Sequence, residues 1–256
     1  YTGKTVSSAK VPEKVTADSK GSSTASIDTK KLEEALNKAV ENARQDDLTP
    51  EVKVTVEIKG EATSLDTKLQ AKAIQELAKT NNAQLTIESG LGAVSFDNAT
   101  LKGMAGGTSG SESIVIGLAK VEPDTLPEAA RAVVGKSLVF DLTVKVADEA
   151  IHQFDGTATI FFPYSPEDGA DPAEMQVFHL GDDGVLQQMK NVRYDKTRKG
   201  FVFETTHFSL FFIGKAETAW PFTDVKEGDW FYGPVKYAYE KGLMTKTSAT
   251  TFSPGQ

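Results

Sequence analysis

The sequence predicts an α+β protein: an antiparallel β-sandwich-like domain with accessory helices, followed by a short helical segment. Three observations predict it. Two stretches in the first half carry apolar residues at helical spacing, each leading into a run that alternates apolar with polar. From Ile114 onward, short alternating runs follow one another closely, with turn residues between them. After Ala219 the period returns to helical.

Each element follows in order. Residues 1–27 are rich in Ser, Thr, Lys and Ala and nearly lack large apolar residues, which predicts a linker or extended arm. Residues 28–112 are read as helix–strand units. Asp28 opens a helix with Leu32, Leu36, Ala39, Val40 and Ala43 on one face, and Val52, Val54, Val56 and Ile58 then alternate as a strand. A second helix is predicted from Asp66 to Lys79 on Leu69, Ala73, Ile74 and Leu77, and two strands follow around Leu85–Ile87 and Val94–Phe96. The Gly/Ser run from Gly103 to Ser111 reads as a loop. Residues 113–214 are read as the antiparallel sandwich. Its strands lie at Ile114–Val121, Leu138–Val146, Thr157–Pro163, Met175–Leu180, Val185–Met189, Phe201–Thr205 and Phe208–Ile213, with a short helix at Ala129–Val134. Asp182-Asp183-Gly184 is a hairpin turn signal, and Asp195 to Gly200 a longer hairpin loop. In residues 220–256 a last helix carries Val235, Ala238, Tyr239 and Gly242 on one face, with Pro234 in its first turn.

Composition removes several function classes. The chain of 256 residues is 39% hydrophobic, enough to bury the core of one large or two moderate domains. Its net charge of -8 argues against a nucleic-acid partner, because phosphate binding needs a basic patch. With no cysteine it has no disulfide, thiol chemistry or zinc-thiolate site, which fits an exported protein. No apolar run approaches the roughly 20 residues of a membrane span. No signal peptide opens the sequence, so an export signal is expected to lie outside it.

The tail carries the most specific pattern. Phe222-Thr223-Asp224-Val225 is followed by Asp229-Trp230-Phe231, then Val235, Ala238 and Gly242-Leu243, then Thr251-Phe252-Ser253-Pro254. This resembles a repeat of the surface-layer homology family, which opens with F-x-D-V, carries a Trp, then a helix, and ends in an F-x-P loop. From the residues themselves, Phe222 and Val225 are expected to pack on Val235 and Ala238, and Asp224 to satisfy backbone donors in the loop before the helix. The resemblance implies a bacterial cell-surface location, cell-wall anchoring in a Gram-positive host, and the pyruvylated secondary cell-wall polysaccharide as partner of the intact region. Asp224 and Trp230 are the glycan-binding candidates it suggests here, Trp230 because an aromatic face stacks on pyranose rings. The family pattern continues into a Thr-Arg-Ala-Glu run whose Arg meets the anionic ligand. This sequence stops at Gln256 before such a run and has Lys246 where the family usually has Gly, so weak glycan binding is expected of this segment alone.

The middle carries a second resemblance. Phe154-Asp155-Gly156, Ile160-Phe161-Phe162-Pro163-Tyr164, Val177-Phe178-His179-Leu180 and Thr206-His207-Phe208-Ser209 are similar to a module found before surface-layer homology repeats, itself similar to ZU5-type β-sandwiches. Some ZU5-type and nucleoporin-type domains cut themselves between the Phe and Ser of a His-Phe-Ser triplet. The resemblance implies Ser209 as nucleophile, His207 as base and Phe208 as the residue whose carbonyl is attacked. The alternative is structural, with His207 a hydrogen-bonding residue and Phe208 a strand residue. Self-cleavage is the single enzymatic activity this pattern suggests.

Other chemistry finds little footing. His152, His179 and His207 do not fall in a metal-ligand spacing. The acidic stretch Glu167 to Asp171 lacks the EF-hand spacing. No phosphate-cradling glycine loop or nucleophile elbow occurs. No cofactor or metal is expected. The leading expectation is a non-enzymatic structural or spacer module beside an anchoring region, with autoproteolysis and carbohydrate binding as alternatives.

Overall fold

The computed structural model describes residues 5–135, 137–165, 171–181, 186–215, 222–240 and 251–253. Its elements in the first half are β1 (Val6–Thr16), β2 (Ser22–Ser26), α1 (Thr29–Asp46), β3 (Thr49–Lys59), β4 (Ser64–Gln70), α2 (Ala71–Lys79), β5 (Gln84–Ser89), β6 (Gly92–Phe96), α3 (Asn98–Ala105) and β7 (Ser113–Val121). Then come α4 (Glu128–Val134), β8 (Leu138–Val146), β9 (Glu149–Ile151), β10 (Gln153–Pro163), β11 (Met175–Leu180), β12 (Leu186–Gln188), β13 (Arg193–Asp195), β14 (Gly200–His207), β15 (Leu210–Lys215) and α5 (Tyr232–Glu240).

Two sheets pack face to face. Among the described residues one has the order β1-β3-β5-β6-β10-β14-β13 and the other β12-β11-β15-β8-β7-β4-β2, with β9 beside β8. The alternation of each strand sets which side chains meet. Val54, Ile87, Val94, Ile160, Phe162 and Phe203 of the first sheet join Ile116, Phe140, Leu142, Val144, Phe211 and Ile213 of the second in one buried cluster. Phe140 and Phe162 stack across the gap with centroids 3.8 Å apart. Both sheets are mixed: β1, β3 and β5 run parallel, as do β2 and β4, and the remaining ladders are antiparallel.

Helices fill the end of the sandwich where the strands are parallel. α1 lies on β1 and β3, and Leu32, Leu36 and Ala39 enter the shared core. It starts where the Asp28 carboxylate accepts the Lys31 N–H at 3.1 Å and stops where Asp47 turns left-handed at φ 51°. α2 brings Ile74 and Leu77 into the same core and packs on α3. α4 covers the outer face of the second sheet, where Ala130 and Val134 meet Val139, Phe178 and Phe212.

Within the arm expected over residues 1–27, Val6–Thr16 and Ser22–Ser26 are instead paired strands. β1 lies in register along β3, and β2 along β4. Its inward residues Ser7, Ala9 and Val11 are small because α1 lies close above them. The helix expected from Asp66 splits into β4 and α2. Leu65 and Leu69 fit a helix face at i, i+4, but Leu65, Thr67 and Leu69 also alternate, and pairing with β2 and β7 selects the strand. The partition expected between residues 112 and 113 does not separate the sheets, since β10 pairs with β6 and β7 with β4. The Asp182-Asp183-Gly184 turn lies outside the described residues.

Candidate functional site

The His-Phe-Ser triplet sits at a corner where the chain changes sheets. β14 ends at His207 in the first sheet, and β15 begins at Leu210 in the second. Phe208 is buried against Phe96 and Phe154, with centroids 5.8 and 5.0 Å away, and its N–H donates to the His152 carbonyl at 3.0 Å. The Ser209 hydroxyl donates to the Leu180 carbonyl at 3.2 Å, and the Ser209 carbonyl accepts the Leu142 N–H. Neither Phe208 nor Ser209 has a left-handed φ.

His207 faces elsewhere. Its ring meets the edge of His179 at 4.2 Å, and the Thr205 hydroxyl lies 3.4 Å from Nδ1. The same hydroxyl donates to the His207 carbonyl at 2.9 Å. Nε2 is buried without a hydrogen-bond partner. Burial pushes the imidazole pKa below its ordinary value, because the charged form loses hydration with no anion to replace it. No hydrogen bond joins His207 to Ser209, so the base expected of the triplet is not engaged with its nucleophile.

A cavity of about 480 Å³ on the other side of the corner is lined by Ser209, His152 and Asp141, together with Phe208 and Thr125. Burial raises the Asp141 carboxyl pKa. These three types form an acid–base–nucleophile set, but no hydrogen bond links one to another. The gathering was not readable from the sequence, because β8, the β9–β10 turn and the β14–β15 corner meet there only through sheet pairing.

The tail forms a small cluster of its own. Phe222, Val225, Val235 and Phe252 are buried together, and Phe222 meets Tyr239 and Phe252 edge-on at 5.1 and 5.3 Å. Asp224 holds this cluster closed. Its carboxylate accepts the Phe252 N–H at 2.9 Å and the Ser253 N–H at 2.7 Å. These two donors come from the loop after the helix, and the Asp224 N–H in the loop before it also bonds the carboxylate. That loop needs an anchor, since Ser253 is left-handed at φ 58°. Burial raises the Asp224 pKa, but the hydrogen bonds outweigh it and hold the carboxyl below its usual range. Before the helix the Asp229 side chain accepts the Lys226 N–H at 2.7 Å, closing the turn that leads into α5. Trp230 is 89% exposed, with one edge on Phe231, and so is available for stacking. Gly242, Lys246 and Pro254 lie outside the described residues.

Among the described residues no three His, Cys, Asp or Glu side chains gather as a metal site. The acidic stretch is described only from Asp171 on, where the side chain accepts the Ala173 N–H. Among the described residues no helix is long and apolar enough to cross a membrane.

Comparison with known proteins places the tail. The family model described as the S-layer homology domain matches residues 221–256. An S-layer homology domain is therefore found there, and it indicates association with a cell surface or S-layer. No curated protein and no solved structure matches the chain.

Proposed function

We propose that this chain is a non-enzymatic spacer module of a Gram-positive cell-surface protein, carried next to a region that holds secondary cell-wall polysaccharide. The match over residues 221–256 carries this reading, and it coincides with the cluster that Asp224 closes. Trp230 offers an open indole face to a pyranose ring. The long sandwich, with a continuous core between its sheets, suits a rigid spacer. We read the middle of the chain as a ZU5-type module, which agrees with that role. The test is co-sedimentation of the chain, extended to three tandem S-layer homology repeats, with purified pyruvylated wall polysaccharide. Binding is expected, and removal of the pyruvyl groups by mild acid is expected to abolish it. An extended protein that stays in the supernatant would remove the anchoring role.

A second reading is self-cleavage between Phe208 and Ser209, favoured by the position of that bond at the sheet-changing corner. For the reaction, the Ser209 hydroxyl must leave the Leu180 carbonyl and turn to the carbonyl of Phe208. As the ester forms, the Phe208–Ser209 C–N bond breaks and the Ser209 nitrogen takes the hydroxyl proton as a free amine; water then hydrolyses the ester to the Phe208 carboxylate and restores the Ser209 hydroxyl. A denaturing gel after long incubation distinguishes the readings: two bands, changed to one by Ser209→Ala, support cleavage, and a single intact band excludes it.

A further inference from the structure

We propose that the outer face of the seven-stranded sheet binds a neutral polysaccharide chain laid across its strands. The proposal is independent of the anchoring role of the tail and concerns a different surface.

Strand register builds the face. Lys53, Thr86, Ser95, Thr159 and Glu204 stand opposite one another on β3, β5, β6, β10 and β14, forming one row perpendicular to the strands. A second row beside it is Glu88, Ala93, Phe161 and Val202. Neighbouring strands lie about 4.8 Å apart, close to the length of one sugar ring along a glycan. A chain crossing the strands therefore meets a new polar side chain at each ring. The two rows also match the two aspects of a pyranose. The first offers hydroxyls to the sugar's hydroxyl edge. In the second, Ala93, Phe161 and Val202 form a small apolar cluster outside the main core; they are themselves buried, and so make an apolar floor to the groove rather than an open stacking face.

The face is concave and its groups are held in place. All of these residues but Glu88 line a groove of about 370 Å³. Glu51 accepts hydrogen bonds from Ser8 and, at 2.6 Å, from Thr86, which in turn touches the Ser95 hydroxyl at 2.9 Å. A carboxylate fixed in this way can accept from a pair of adjacent sugar hydroxyls without being ordered first. The Thr159 side chain makes no hydrogen bond among the described residues, so its donor and acceptor are left to a ligand. Charge decides between neutral and anionic polymers. The two cations in the groove lining, Lys53 and Arg198, both pair with Glu88. The Arg198 guanidinium is further fixed 3.8 Å over the Phe161 ring, where it forms a wall. With its cations already paired, the groove favours an uncharged chain.

The test is affinity electrophoresis of the whole chain in native gels containing mixed-linkage β-glucan, arabinoxylan or galactomannan. Retardation by at least one polymer is expected. Ser95→Ala combined with Thr159→Ala should weaken it about tenfold through two lost hydrogen bonds. Thr159→Tyr, which fills the groove from a half-buried position in its lining, should weaken it as well. Trp230→Ala in the tail should leave it unchanged. Failure of all three polymers to retard the chain would overturn the proposal. So would retardation that survives both groove variants or that Trp230→Ala abolishes, the latter assigning the binding to the tail. Retardation by anionic wall polysaccharide alone would likewise overturn it.

Discussion

Single side chains show where pH should act. Asp224 is held below the usual carboxylate range in the folded tail. A carboxyl with a depressed folded pKa contributes stability above its unfolded value, near 3.9, and loses it as pH falls through the folded one. Acid is therefore expected to open the Phe222–Phe252 cluster. Asp224→Asn should flatten that dependence and cost about 1 kcal/mol at neutral pH, read from near-ultraviolet dichroism of the tail aromatics. His207 is a base with a lowered folded pKa, so protonation favours the unfolded chain. Its stabilising effect is complete above the unfolded value of about 6.5 and declines as pH falls below it. In His207→Gln the acid limb of a denaturation-midpoint against pH curve should be shallower below about 6.5. Deep in the core, Phe162 stacks on Phe140 and touches Phe203 and Phe211. Phe162→Ala is expected to cost roughly 3–5 kcal/mol in urea unfolding. The candidate residues were nameable from sequence, and their partners were not: that Ser209 would meet Leu180, and His207 meet His179, depends on which strands the corner brings together.

At the level of elements, α3 shows how a cap ties separate parts together. The Asp97 carboxylate accepts the Thr100 N–H at 2.8 Å, starting α3, and the Thr157 N–H at 2.9 Å, holding β10 beside it. Gly156 makes room for this, since a side chain there would collide with Asp97 and Thr100. Asp97→Ala should cost about 1–2 kcal/mol, and Gly156→Ala is expected to cost more because backbone must move; thermal melts of the two variants would rank them. The strong amphipathic helix α1 and the evenly alternating strands β3, β8 and β10 were legible because period and burial agree. α3 was not, because Leu101 and Met104 give it only a brief apolar face, and Gly103 between them opens the run read as a Gly/Ser loop. β1 and β2 were missed because their buried positions are Ser, Ala and Val, too small to mark a strand without knowledge of the helix above. β2–α1–β3 and β4–α2–β5 each pass through a helix from the second sheet to the first.

For the whole molecule, the two-sheet arrangement makes the first and second halves interdependent. β10 lies between β6 and β14, so residues 113–214 alone would expose the edge of β10 and the face that meets Phe96 and Val94. That segment expressed by itself is expected to lack a cooperative unfolding transition, whereas the chain to residue 215 should retain one. Sandwich class was readable from spacing and turns; topology was not, because register and the parallel pairings are set by contacts far apart in sequence. The placement of β15 has a mechanical consequence. A pull from a tail fixed to a wall enters the body at Lys215, and β15 is gripped on both sides, by β11 and by β8. Tension along that strand loads two ladders at once in shear, so they must rupture together rather than peel bond by bond. A cell-surface spacer built this way would transmit force at its anchored end before yielding to it.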